Sequence, residues 1–142
     1  MRILAVDYGD ARTGLAISDS SELLASPVGT ITEHDPQRLA ERIADISKER
    51  GAGEIIVGLP INMNGTKGIR AEKCEDFAKM LETLAECPVR MWDERSTTVT
   101  AHQILNDVNV RGKNRKAVVD TVAASVILES YLNYRRKNKT NR

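Results

Sequence analysis

The segment EIIVGLP, residues 54–60, constrains the fold of this 142-residue chain most strongly. Its β-branched and aliphatic residues stand between a glycine and a proline, which is typical of a strand buried on both faces of a sheet. Such a sheet needs helices on both sides, and helical patterns precede and follow the segment. The sequence therefore predicts an α/β fold in which residues 54–60 form an inner strand.

Four helices are predicted from capping signals and from the spacing of apolar residues. The first runs from Asp35-Pro36 to about residue 50, because Asp is a good N-cap and Pro fits the first helical position. A second helix is predicted for 69–85, where apolar residues keep to one face. Helical patterns return at 97–107 and at 115–134.

Four further strands complete the predicted sheet. Residues 2–8, 13–18 and a segment within 23–31 form an antiparallel meander, and residues 88–92 form the last strand. Strand–helix–strand units make parallel crossovers, so the sheet is mixed, with three antiparallel strands followed by two parallel ones. The length suits one domain, predicted to span residues 1–134, with a basic tail at 135–142.

Three acidic residues stand at the ends of apolar segments, namely Asp7, Glu94 and Asp120. Parallel first, fourth and fifth strands bring Asp7 and Glu94 to the carboxyl edge of the sheet, where open α/β sheets bind ligands. Asp120 continues the apolar stripe of the last helix and can reach the same edge. Each acid also has an alternative role when taken singly. Asp7 suits a turn, Glu94 a surface ion pair, and Asp120 the first turn of a helix. Together they predict a site for Mg²⁺ or Mn²⁺, which prefer oxygen ligands.

Charge is distributed unevenly along the chain, although the formal net charge is only +1. Residues 111–142 contain nine basic and two acidic residues, whereas the other 110 residues carry an excess of six acids. A basic quarter on an acidic body favours a polyanionic partner, and nucleic acid is the partner we expect. Three basic residues just before and at the start of the last predicted helix, Lys113, Arg115 and Lys116, would flank the acids. A solvated tail is the alternative for the last nine residues.

The chain resembles the YqgF/RuvX family of small RNase H-like nucleases in four motifs. These are DYGDARTGLAISD at 7–19, VGLPINMNGTKG at 57–68, DERSTT at 93–98, and K-x-x-x-D-x-x-A-A-x-x-x-L-x-x-Y-L at 116–132. The resemblance implies an RNase H-like fold, a nuclease that depends on Mg²⁺ or Mn²⁺, and a cytoplasmic location. It implies Asp7, Glu94 and Asp120 as the metal-binding and catalytic acids. It also implies maturation of the 5′ end of pre-16S rRNA, while other members are described as Holliday junction resolvases.

Several polar residues near the acids are candidates for binding substrate. Arg12 and Arg95 can clamp phosphate oxygens or balance the repulsion between carboxylates, and the sequence leaves both roles open. Asn62, Asn64 and Thr66 lie in the loop after the fourth strand, where uncharged donors suit a sugar-phosphate chain. An Asn-Gly turn is the alternative role for that loop.

Two other classes of protein compete with a nuclease. Actin-like and sugar-kinase phosphotransferases share a D-x-G-x-x-x-x-G hairpin, but they need two lobes around the nucleotide and 142 residues supply one. A nucleic-acid-binding module without turnover is disfavoured because all three acids are present. No run approaches the roughly 20 apolar residues of a membrane helix, and the N-terminal residues form a strand-like run rather than a leader. We therefore expect a cytoplasmic protein that binds RNA or branched DNA, as a monomer or homodimer.

Overall fold

A computed structural model describes residues 1–62, 64–94 and 113–140, with side chains in the last range described from 122 to 138. One sheet has the strand order β3-β2-β1-β4-β5. Its strands are β1 (Arg2–Asp7), β2 (Arg12–Ser18), β3 (Ala25–Thr32), β4 (Ala52–Leu59) and β5 (Val89–Asp93). β1, β2 and β3 pair antiparallel, and β4 pairs parallel with both β1 and β5. The predicted mixed sheet is confirmed, and β1 is its central strand.

Helices cover both faces of this sheet. α1 (Pro36–Glu49) and α2 (Ile69–Leu84) pack on one face, and α3 (Lys113–Thr140) packs on the other. Four consecutive residues of β1 are buried because alternate side chains enter the two cores. Asp35 caps α1 as predicted, since its carboxylate accepts a hydrogen bond from the Gln37 amide at 3.1 Å. No helix within the described ranges is long and apolar enough to span a membrane.

Helix α3 is longer than its sequence pattern predicts, while the other elements lie within two residues of their predicted bounds. It continues past Tyr134 to Thr140. The extra turns hold tertiary contacts, because Arg135 pairs with Glu22 and Arg136 Nη1 donates to the Leu23 carbonyl at 3.3 Å. The helix predicted for 97–107 lies outside the described residues.

A buried ionic cluster fixes α3 at the amino edge of the sheet. Glu54, near the start of β4, and Glu22, in the β2–β3 turn, are 3% and 7% exposed. The Tyr131 hydroxyl donates to Glu54, and the guanidinium of Arg135 lies between both carboxylates, with Nη1 3.7 Å from Glu54 Oε2. Buried carboxylates need partners of this kind. Because the later turns of α3 are held at the amino edge, its earlier turns run toward the carboxyl edge.

Candidate active site

Asp7 and Glu94 lie at the carboxyl edge of the sheet, as the strand order predicts. Asp7 is the last residue of β1, and Glu94 directly follows β5. The Glu94 amide donates to the Leu59 carbonyl at 3.1 Å, which extends the β4–β5 pairing by one step. Both acids are half-buried. The two residues are 87 positions apart in sequence, and parallel pairing through β4 brings them to one edge.

Gly58 provides the space that the Glu94 carboxylate occupies. A methyl group on Gly58 would lie 2.8 Å from Glu94 Cδ, 3.0 Å from Glu94 Oε2 and 2.7 Å from Ile127 Cδ1. These distances are shorter than carbon–carbon contact, which is about 3.5–4.0 Å. A glycine within a strand often marks such a close approach. The absence of a side chain at Gly58 therefore lets the Glu94 carboxylate lie against the sheet beside α3.

Asp7 points toward this same face. In β1, Ile3 and Ala5 enter the core under α3, and side chains two residues apart share a face. Val6 pairs with Val57, so the next residues along these parallel strands, Asp7 and Gly58, are neighbours. The carboxylates of Asp7 and Glu94 thus lie on the α3 side of one edge.

Asp120, the third predicted acid, lies within α3, seven residues before Ile127. Seven residues span two helical turns, or about 10.5 Å, and return to the same side of the helix. Ile127 contacts the site at Gly58, so the Asp120 backbone lies on the turns that run toward the carboxyl edge. The Asp120 side chain is outside the described part, and its convergence with the other acids stays a prediction. Among the described side chains, no three acidic, imidazole or thiol groups form a metal-ligand cluster.

Two half-buried carboxylates, those of Asp7 and Glu94, set the electrostatics of this edge. Burial raises the pKa of Glu94, Arg70 opposes that change, and Asp93 adds to it. Burial also raises the pKa of the Cys74 thiol to about 11, and the charges of Glu94 and Asp7 contribute to the same shift. The negative charges of both acids therefore raise the pKa of the same thiol, which lies beneath the edge. Cys74 stays neutral at physiological pH and belongs to the core.

Arg70, in the first turn of α2, is a residue of this edge that the sequence patterns did not single out. Its Nη2 donates to the Tyr8 carbonyl, and its guanidinium lies 5.7 Å from the centroid of the Tyr8 ring. Its charge also opposes the rise in the pKa of Glu94 that burial causes. The position of Arg70 in the sequence could have indicated this, because the first turn of a helix that follows a parallel strand lies near the carboxyl edge.

Arg12 lies at the start of β2, on the same face as Asp7. Asp7 pairs with Gly14, and Arg12 is two residues away from Gly14 along the strand. The turn that joins β1 to β2 is tight, because a methyl group at Gly9 would lie 2.0 Å from the Arg12 carbonyl oxygen. The Gly9 amide also donates to Thr13 Oγ1 at 3.2 Å. This turn places Arg12 on the face that Asp7 occupies, and its role toward phosphate or the carboxylates stays a prediction.

The loop after β4 is organised by the three polar residues predicted to bind substrate. Asn62 Nδ2 donates to Thr66 Oγ1 at 3.1 Å, and the Thr66 hydroxyl donates to Asn64 Oδ1 at 2.6 Å. Gly65 adopts a φ of 85°, in the left-handed region that glycine favours. These bonds support the role of a turn, and all three side chains remain exposed. Their contact with substrate stays a prediction.

The remaining predicted site residues have side chains outside the described part of the chain. Lys113 begins the helix, and Arg115 and Lys116 lie in its first turn, with side chains outside the described part. Arg95 is outside the described residues. Their roles toward a substrate stay predictions.

Comparison with solved structures identifies the class of this fold. Thermus thermophilus RuvC, solved in complex with a Holliday junction substrate, has a TM-score of 0.56 and 11% identity, covering 94% of this chain and 96% of that chain. The fowlpox virus Holliday junction resolvase also has a TM-score of 0.56, with 18% identity, covering 94% of this chain and 99% of that chain. The architecture is therefore that of the RNase H-like class.

The family follows from the sequence. The family model RuvX, described as Holliday junction resolvase, matches residues 1–134, and the chain belongs to this family. A protein of Halothermothrix orenii named "Putative pre-16S rRNA nuclease" is 45% identical over 137 residues, covering 96% of this chain and 98% of the relative. A protein of the same name from Chloroflexus aurantiacus is 44% identical over 136 residues, covering 96% and 89%. The predicted family is confirmed.

Proposed function

We propose that this protein is a nuclease that hydrolyses phosphodiester bonds with the help of Mg²⁺ or Mn²⁺. The observation that carries the proposal is the position of the Glu94 carboxylate, which lies over Gly58 on the face that Asp7 occupies. Membership of a nuclease family supports the same activity. The reacting phosphate would lie at the carboxyl edge of β1 and β4, under the early turns of α3.

The donor set of this edge fits a hard divalent cation. Asp7 and Glu94 supply carboxylate oxygens, and Asp120 is the third ligand that we propose. Burial raises the pKa of Glu94, and a cation beside its carboxylate would offset that cost of keeping the group ionised. When bound, Mg²⁺ or Mn²⁺ supplies an activated water and stabilises the charge on the leaving oxygen.

The protein's own side chains would bind and orient the nucleic-acid strand. Arg12 lies beside Asp7 and can pair with an oxygen of the reacting phosphate. The exposed loop after β4 offers uncharged donors, and the start of α3 offers positive charge. Phosphate contacts of this kind hold a strand in register without reading its sequence. The residues that we propose for this role are Asn62, Asn64, Thr66, Arg95, Lys113, Arg115 and Lys116.

We propose the 5′ end of pre-16S rRNA as the substrate, acted on in the cytoplasm during ribosome biogenesis. Support comes from relatives that are 44–45% identical over nearly the whole chain and carry that activity in their name. Resolution of Holliday junctions is the second candidate, because the family model carries that description. The two candidates share their chemistry and differ in the nucleic acid that enters the site.

A cleavage assay with two substrates tests this proposal. An end-labelled RNA that contains the 5′ precursor sequence of 16S rRNA and a labelled four-way DNA junction are each incubated with the protein and Mg²⁺. We expect cleavage of the RNA, and we expect Asp7→Asn to abolish it because the substitution removes a charged metal ligand. Equal cleavage by Asp7→Asn would assign the activity to a contaminant or another site.

The oligomeric state separates the two substrates further. A junction resolvase must cut two opposed strands, so it needs two active sites in one particle. Sedimentation of the protein alone and with the junction measures this directly. A monomer that cleaves the RNA and leaves the junction intact supports the ribosomal role, whereas a dimer that makes paired cuts in the junction favours the second candidate.

A further inference from the structure

A second charged cluster lies beside the candidate active site, on the α2 side of the same edge. Asp10, in the β1–β2 turn, forms ion pairs with two basic side chains from the beginning of α2. Arg70 Nη1 lies 3.7 Å from Asp10 Oδ1, and Lys73 Nζ lies 3.6 Å from the same oxygen. The side chains of Arg70, Lys73 and Asp10 are 44%, 52% and 65% exposed. Two cations thus converge on one carboxylate oxygen that water reaches freely.

These contacts are long for hydrogen bonds and lie at the surface, so the carboxylate is held loosely. Arg70 itself is held firmly, because it donates to the Tyr8 carbonyl and lies over the Tyr8 ring. An anion can therefore replace Asp10 without displacing Arg70. The guanidinium has further donors for a second oxygen, and its fork geometry suits phosphate.

We propose that Arg70 and Lys73 form a phosphate subsite, which the Asp10 carboxylate occupies in the free protein. Its ligand is a backbone phosphodiester of the nucleic-acid strand, next to the phosphate that reacts at Asp7 and Glu94. This proposal rests on the proposed function, since it places a second phosphate of the same substrate. Arg70 links the two sites, because it lies in the first turn of α2 and donates to the carbonyl of Tyr8, the residue directly after Asp7.

A cavity beyond the cluster gives the attached nucleotide room. It has a volume of about 310 Å³ and opens between α1 and α2. The stacked rings of Tyr8 and Phe77, with centroids 4.3 Å apart, contribute to its wall. Asp10 and Lys73 both line this cavity, so open space lies directly beside the subsite.

The proposal predicts that Arg70→Ala and Asp10→Asn act in opposite directions on nucleic-acid binding. Loss of Arg70 removes a phosphate contact, whereas loss of the Asp10 charge removes the competing anion. If the cluster only ties the β1–β2 turn to α2, both substitutions loosen the same contact and act in the same direction. The sign of the Asp10→Asn effect therefore separates a binding site from a structural tie.

Fluorescence anisotropy with a labelled RNA that contains the 5′ precursor sequence measures these effects, with Ca²⁺ in place of Mg²⁺ to limit cleavage. We expect Arg70→Ala to raise Kd about tenfold and to reduce the slope of log K against log salt by roughly 0.7, as one lost phosphate contact does. Asp10→Asn should lower Kd about threefold. That gain should be lost when Arg70 and Lys73 are both replaced by alanine.

Two control variants match these changes in charge. Lys48→Ala removes a cation whose ion pair with Glu86, at 3.2 Å, lies at the other end of α1. Asp76→Asn removes an acid from the rim of the same cavity, and its effect gives the contribution of general repulsion. Arg70→Lys keeps the charge, so it should retain the salt slope. This variant is measured in place of Arg70→Ala if Arg70→Ala fails to fold.

The outcomes distinguish this subsite from the proposed function. If Arg70→Ala binds the RNA with the same Kd and salt slope as wild type, the proposed subsite is overturned and the proposed function is not. Weaker binding by both Arg70→Ala and Asp10→Asn also overturns it, in favour of a structural tie. Wild-type protein that binds neither RNA nor junction overturns the proposed function together with the subsite.

Discussion

Gly58→Ala should disable the candidate active site while leaving the protein folded. The new methyl group would lie 2.8 Å from Glu94 Cδ and 2.7 Å from Ile127 Cδ1. Restoring carbon–carbon contact distances of about 3.5–4.0 Å moves the carboxylate by roughly 1 Å. A displacement of that size at a reacting centre typically reduces the rate about 10²-fold. Both opposing atoms belong to side chains, so the backbone of β4 can stay in place.

The expected loss of stability is small enough to leave the active-site effect visible. Overpacking in a core costs roughly 1–3 kcal/mol, and replacing a strand glycine by alanine returns about 0.5–1 kcal/mol. The net change, roughly 0–2.5 kcal/mol, leaves a domain with a typical stability of about 5–15 kcal/mol folded. Urea denaturation measures the stability, and kcat/KM for RNA cleavage with Mg²⁺ measures the activity.

Gly53→Ala is the matched control, because it makes the same substitution at the other end of the same strand. There the methyl group meets the side chain of Met1, with Sδ at 3.0 Å, far from the acids. We expect Gly53→Ala to keep wild-type activity. The reasoning is refuted if Gly58→Ala keeps kcat/KM within about twofold of wild type, or if Gly53→Ala loses as much activity as Gly58→Ala.

Three further substitutions test other parts of the structure. Glu94→Gln should reduce kcat/KM by about 10²-fold or more, because a metal ligand contributes several kcal/mol. Because burial raises the pKa of Glu94, the ionised side chain destabilises the metal-free folded state. Urea denaturation at pH 8 with EDTA should therefore show Glu94→Gln to be at least as stable as wild type. A clear loss of stability in this variant contradicts the reasoning. Arg135→Ala should lower the unfolding free energy by about 2–4 kcal/mol, because two buried carboxylates at the amino edge lose their shared cation. Lys137 is exposed, and Lys137→Ala should change the unfolding free energy by less than about 0.5 kcal/mol. Equal effects of the two substitutions refute the role of the cluster. The pKa of Cys74 is raised from 9.0 to about 11, so between these values the folded state binds a proton that the unfolded state has lost and stability falls as pH rises. Denaturation at about pH 8 and pH 11 should show a loss roughly 2–3 kcal/mol larger for wild type than for Cys74→Ala, and identical losses contradict the burial of this thiol.

The sequence predicted the sheet well because its strands and helices carry strong local signals. The run from Ile55 to Leu59 is β-branched or aliphatic except for Gly58, and Asp35-Pro36 marks the start of α1. The same patterns placed Asp7 and Glu94 at one edge. Strand order and parallel pairing were enough for this, since both follow from the sequence of elements.

Tertiary contacts explain what the patterns missed. The basic segment after Tyr134 has the composition of a solvated tail, but Arg135 reaches two carboxylates buried elsewhere in the fold, and α3 continues to Thr140. Arg70 has the local pattern of an exposed residue in a first helical turn. Only the folded chain places its guanidinium against the Tyr8 carbonyl and near Glu94. The sequence can place Arg70 near the carboxyl edge, but the particular partners of Arg70 and Arg135 are distant in the chain and leave no local signal.

Anomalous scattering from a crystal soaked with Mn²⁺ tests most directly whether these remote carboxylates share a cation. We expect manganese at the carboxyl edge of β1, bound by oxygens of Asp7, Glu94 and Asp120, and no such peak in Asp7→Asn crystals. Manganese bound away from Asp7, in crystals of protein that cleaves RNA, would contradict a metal-dependent site at this edge.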